Sequence, residues 1–212
     1  MDILIISKTR KGKSACVGGI VMDTNESVRL LNPGNWDQYA DTELKIGDIW
    51  DITFEKRQDV LTPHIEDIII FTKKFIKNVP NIKEFIHGKG IKVYKGSLMN
   101  IFDGKIKWSL NGSGYVSDKN NLPPYSTGFW LCDKKLEFNG KHYIYNFSEE
   151  KDLKLPFVGF VHPLKIIPAG VLIRVSLARW WKPDDIEMEQ RCYLQISGWY
   201  DYSEPTILST DI

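Results

Sequence analysis

Short apolar runs, each closed by Gly, Asn, Asp or Pro, recur along nearly the whole 212-residue chain. A surface helix needs apolar residues at three- and four-residue intervals over several turns, and this punctuation leaves almost no room for one. The pattern therefore predicts a mostly β protein. "DILIIS" is apolar at consecutive positions, so its strand should be covered on both faces. "CVGGIVM" follows, and Gly18 with Gly19 predicts a bulge or a sharp bend. "GDIWDITFEKR" alternates: Trp50, Ile52 and Phe54 share one face, and Asp51, Thr53 and Glu55 the other. "PHIEDIIIF" reads as a further strand.

The one clear helix is "NIKEFIHGKG", with Ile82, Phe85 and Ile86 on one side, Asn81 able to cap its start and Gly88 to end it. Strands resume in "KIKWSL", in a hairpin candidate around Asn139-Gly140, in "VLIRVSLARWW" and in "RCYLQISGWY". Residues 110–125, "LNGSGYVSDKNNLPPY", form the longest irregular stretch. Short, evenly spaced strands suggest small barrels. The expected architecture is two β-rich halves, residues 1–100 and 101–212, with one or two short helices.

Net charge is +1, which excludes an overall field able to hold nucleic acid anywhere on the surface, so such a site must be a local patch. Cys16, Cys132 and Cys192 lie far apart among apolar neighbours and read as reduced core thiols of an intracellular protein. "MDILIISKTRKGK" runs apolar then basic, the reverse of a signal peptide, and no apolar run approaches the roughly 20 residues that span a bilayer. The expectation is a soluble cytoplasmic protein with no membrane contact.

Chemistry-bearing motifs are sparse. There is no GxSxG, P-loop, GxGxxG, HxH or HxxxH. His64 and Glu66 in "PHIED" would share a strand face, either as a polar strand-edge network or as the start of a small-ligand or hydrolytic site. "PDDIEMEQ" fits a helical turn, with Pro183 first and acids near the positive end of the dipole. The expected catalytic, metal and cofactor residues are therefore none.

Two basic clusters stand out. Lys8, Arg10, Lys11 and Lys13 sit on the turn between the first two strands, where they could neutralise phosphates. The stretch from Lys73 to Lys95 carries further lysines against Glu84 alone. Either could be only a solvated face.

The adjacent Trp180 and Trp181 are more specific. Alternation along "VLIRVSLARWW" puts Val171, Ile173, Val175, Leu177 and Trp181 on a core face, and Arg174, Ser176 and Trp180 on the other. A bulge at Ser176–Arg179 would exchange the two tryptophans. In the last strand Cys192, Leu194 and Ile196 oppose Arg191, Tyr193 and Gln195. If the strands are neighbours, Arg174, Trp180, Arg191 and Tyr193 gather on one surface suited to single-stranded nucleic acid, with stacking worth about 1–3 kcal/mol per base. The same surface could instead pack against the other half of the chain.

The stretches "ILIISKTRKGKSACVGGI", "VRLLNP", "PHIED", "SLARWWKPDD" and "RCYLQISGWY" together resemble the dual OB-fold-containing domain family of prokaryotic proteins. The resemblance implies two OB-like β-barrels and a nucleic-acid-binding role, in an accessory of a conflict or defence system. It carries over no active site. The functional expectation is a non-enzymatic module for single-stranded or structured DNA or RNA. The alternatives are an adaptor docking on an effector ATPase or nuclease, and a small-ligand sensor. The sequence leaves the oligomeric state open.

Overall fold

The computed structural model describes residues 1–117, 121–185, 187–200 and 202. In the first half, β1 (Asp2–Lys11) pairs antiparallel with β2 (Ser14–Val21), and β2 with β3 (Ser27–Leu31) and the short β4 (Gln38–Tyr39). β5 (Asp48–Lys56) pairs antiparallel with β1 and with β6 (Asp67–Asn78), and β6 runs parallel to β3. The circuit β1-β2-β3-β6-β5-β1 closes a five-stranded barrel, and its one parallel pair makes it a Greek key rather than a meander.

Both faces of β1 are buried, as its consecutive apolar residues require. Ile3 and Ile5 point into the barrel core with Val17, Leu30, Trp50 and Ile52. Leu4 and Ile6 point outward into a second cluster with Ile20 and Ile49, covered by α1 (Ile82–Gly88). The Asn81 side chain caps that helix by accepting from the Glu84 N–H at 2.9 Å. The glycine pair does mark a bulge, with the extra residue on the partner: Ile5 faces Gly19 and Ser7 faces Gly18, leaving Ile6 over.

The second half begins with β7 (Val93–Gly96), followed by β8 (Lys107–Trp108), β9 (Gly114–Val116) and β10 (Thr127–Cys132). β11 (Leu136–Phe138), β12 (His142–Ser148), β13 (Lys151–Pro156), β14 (Ile166–Ile167), β15 (Leu172–Leu177) and β16 (Cys192–Tyr200) complete it. A curled sheet, β7-β10-β15-β16-β9-β8, packs with a four-stranded sheet, β13-β12-β11-β14, over a core containing Trp130, Tyr143 and Tyr145. The hairpin predicted at Asn139-Gly140 joins β11 to β12. The molecule is thus mostly β, with a closed barrel and a curled half-barrel.

Three local expectations change. Residues 110–125 are not all irregular, because Gly114–Val116 form β9 beside β16; residues 118–120 lie outside the described set. His64 and Glu66 precede β6 rather than lying in it. No helix forms among the described residues of "PDDIEMEQ", where Asp184 and Asp185 occupy a turn.

The two halves are tied together. Phe129, Leu172 and Tyr200 of the second enter the cluster of Leu4, Ile6 and α1. Each such side chain contributes roughly 1.5–3 kcal/mol on burial. The Tyr200 hydroxyl donates to the Ile6 carbonyl at 2.6 Å, and Arg10 N–H to the Val158 carbonyl at 2.8 Å. No helix among the described residues is long and apolar enough to cross a membrane.

Candidate functional site

β15 is buried at every position. Ile173, Val175 and Leu177 belong to the core of the second half, while Leu172, Arg174 and Ser176 face the first barrel. The expectation that Arg174 lies on an outer surface is thereby corrected: it is 5% exposed, because the barrel covers this face.

Past Leu177 the chain bulges. Ala178 N–H bonds the Tyr193 carbonyl, yet Trp181 rather than Trp180 exchanges both backbone bonds with Arg191. The extra residue breaks the two-residue period and exchanges the tryptophans. Trp180 is half-buried, packs against the second core and donates its indole N–H to the Thr62 carbonyl at 3.1 Å. Trp181 is 54% exposed. The exposed ring of the pair is therefore Trp181, not Trp180.

Around Trp181 the rings form a row. Its centroid lies 6.1 Å from Tyr193, and Tyr193 lies 6.1 Å from Tyr115. Tyr193 and Tyr115 are directly paired across β16 and β9, and Lys107 pairs with Tyr115 across β9 and β8. The Arg191 guanidinium sits 4.0 Å from the Tyr115 centroid. Arg191 and Tyr193 thus lie where alternation puts them. Tyr115 and Lys107 were missed, because β8 and β9 are too short to show a period.

The same face of β16 runs from this row under the first barrel, where Gln195 Nε2 donates to Ser176 Oγ at 3.3 Å. There a cleft of about 260 Å³ separates the halves. Its walls include Arg10 and Lys11 from β1, Arg29 from β3, and Arg174 and Arg179 from the opposite half. Asp67, 1% exposed, receives two guanidinium bonds from Arg29 at 2.7 and 2.8 Å, two from Arg179 at 2.8 Å, and a longer one from Arg57 at 3.3 Å. Burial alone would raise its pKa, but Arg29 and then Arg179 hold it below the ordinary carboxylate range.

His64 and Glu66 both line this cleft. Glu66 Oε1 accepts from the Ser126 N–H at 2.6 Å and the Ser126 hydroxyl at 2.8 Å, a tether between halves. His64 bonds the Ala178 carbonyl through Nε2 at 3.1 Å, with Cys192 Sγ 3.6 Å from the same nitrogen. Burial, and then the Arg179 charge, push the imidazole down to about 4, while burial pushes the Cys192 thiol up to about 12. Both shifts oppose a thiolate–imidazolium pair, which requires a low thiol and a high imidazole. His64 at neutral pH is a neutral N–H donor. Cys132 and Cys192 are buried free thiols, whereas Cys16 is only partly buried and borders the cleft. Among the described residues, no three His, Cys, Asp or Glu side chains are grouped to hold a metal ion.

Of the basic residues expected on the turn, Lys8, Arg10 and Lys11 lie in β1 and only Lys13 in the turn, and they do not gather into one patch. Lys8 and Arg10 lie over the Phe160 ring at 5.1 and 5.8 Å, and Arg10 also bonds the Phe160 carbonyl. Lys11 pairs with Asp37 at 2.7 Å, and Lys13 is exposed. Arg10 and Lys11 reach the cleft, while Lys8 borders a different hollow beside Phe160 and Trp199. The lysines between Lys73 and Lys95 spread over β6, α1, β7 and the stretch between α1 and β7.

Compared with known proteins, residues 1–199 match a family model described as a dual OB-containing domain, a span that takes in both halves, the ring row and the cleft. No curated protein matches the chain.

Proposed function

The chain belongs to the family of dual OB-containing domains, and from that premise we propose that it is a non-enzymatic module that binds single-stranded nucleic acid. The row Trp181, Tyr193 and Tyr115, with Arg191 on Tyr115 and Lys107 beside it, carries this reading. Bases stack on such rings whatever their sequence, and the flanking cations neutralise phosphates. DNA and RNA share both features. Any sequence preference would therefore be modest.

Fluorescence titration with unphosphorylated single-stranded DNA and RNA tests the proposal. Wild type should bind with an affinity that falls steeply with salt, and Trp181→Ala should weaken binding by about 5- to 100-fold. Trp180→Ala should act mainly on stability. Salt-insensitive binding, or equal binding by Trp181→Ala, sinks the proposal.

A second reading, a protein-docking adaptor, is favoured by a separate face. β6 pairs with β3 only at Asp67, Ile68 and Ile69, and beyond them Phe71, Phe75 and Ile76 are exposed on an edge that also carries Lys74 and Lys77. Such an edge suits an extended segment with apolar and acidic residues, added as a further strand. Partner binding that survives high salt and Trp181→Ala, yet is lost on Phe71→Lys, would favour it.

A further inference from the structure

Arg174 is the odd residue of the cleft. It is almost wholly buried, its Nη1 donates to the Ser197 hydroxyl at 3.0 Å, and no carboxylate of the described residues lies within ion-pair distance. The Arg29 and Arg179 guanidiniums of the cleft share Asp67, and Lys11 has Asp37. A buried charge without a counter-charge is costly, and folds tolerate it where an anion completes the site.

Room for that guanidinium is built in. A Cβ on Gly18 would stand 2.9 Å from Arg174 Nη2 and 2.5 Å from Ser7 Oγ, so a side chain there would collide with it. Around the cleft Arg10, Arg29 and Arg179 add positive charge, and neutral His64, Ser176 and Gln195 add hydrogen-bonding groups. The carboxylate that lines it, Glu66, has one oxygen engaged by two donors from Ser126. Cations outnumber carboxylates on the walls, and guanidinium forks match tetrahedral oxyanions.

We propose that the cleft between the two halves is a binding site for a phosphate-class oxyanion, anchored by Arg174. The phosphate group arrives either free, on a mononucleotide, or as the 5′ end of a strand. The site is separate from the ring row, which stacks bases with or without a terminal phosphate.

Calorimetric titration of the full chain at fixed ionic strength, with chloride as the reference anion, tests it. The titrants are inorganic phosphate, adenosine monophosphate, and oligonucleotides with and without a 5′ phosphate. Saturable binding of phosphate or the mononucleotide supports a small-molecule site. A gain in affinity from the 5′ phosphate alone supports a strand-end site. No binding of the first two and no effect of the 5′ phosphate overturns the proposal.

Arg174→Met should reduce phosphate binding by at least about tenfold. In chloride its Tm should equal or exceed that of wild type, because a buried charge has been removed. A lower Tm with unchanged phosphate binding would make Arg174 a structural cross-link and overturn the assignment. Gln195→Ala, on the cleft wall, provides a second variant: weakened phosphate binding in a folded protein supports the site, and unchanged binding in both variants counts against it.

Discussion

Asp67 collects guanidiniums from β3, from the loop after β5 and from the segment after β15, so one carboxylate joins elements distant in sequence. The neighbouring His64 is held neutral by burial and by Arg179. These two groups predict separate pH windows. His64 remains unprotonated in the native state down to about pH 4, whereas in the unfolded chain it takes up a proton near its ordinary 6.5. Below 6.5 the unfolded state therefore binds more protons, and stability should fall by up to about 3 kcal/mol as pH drops from 6.5 to 4. Asp67 acts lower: the stability from its depressed pKa is present above 3.8 and is lost only as pH falls beneath that value. Urea unfolding from pH 8 to 3 should show both phases, and His64→Gln should flatten the first alone. A wild type with constant stability between pH 6.5 and 4 contradicts the assignment. "PHIED" marked these residues as polar among strands, but nothing in it pointed to Arg29 or Arg179, which long-range folding brings to Asp67.

β5 and the first part of β16 followed their periodicity, since one face of each met a core. β5 alternates as read, with Trp50 and Ile52 inside and Asp51 and Thr53 outside, and β16 does the same with Cys192, Leu194 and Ile196 buried. The period failed at the end of β15, where the single extra residue before Trp181 exposes one tryptophan and half-buries the other. A bulge depends on how two strands are registered, and register lies between segments rather than within one. The glycine pair of β2 was legible as a special position, but its reason was not: Gly18 accommodates Ser7 of β1 and Arg174 from the other half. Gly18→Ala should destabilise by about 1–3 kcal/mol through overpacking. The share of that loss due to Arg174 should disappear in an Arg174→Met background, while the nearer clash with Ser7 Oγ remains. A double-mutant cycle by urea denaturation reads the coupling, and full additivity would show that Gly18 does not act through Arg174.

At the scale of the molecule the two halves are not independent beads. The cluster of Leu4, Ile6 and Ile20 with Phe129, Leu172 and Tyr200 gives the two halves a shared core, and Thr9 bridges Gly159 along the seam. Equilibrium unfolding should be one cooperative transition, coincident by tryptophan fluorescence and far-ultraviolet circular dichroism. Leu172→Ala, in the second half, should cost about 2–5 kcal/mol and lower the hydrogen-exchange protection of β1 as well. Two separated transitions, or protection lost in the second half alone, would refute the coupling. Net charge and strand class were readable in the chain because composition and periodicity are local properties. So were the outward places of Arg191 and Tyr193, which one strand's alternation sets. Which tryptophan meets solvent, which arginines share an acid, and that Arg174 lines a cleft were decided by the docking of one half on the other. Those outcomes depend on register and on what covers a face, and no single segment encodes either.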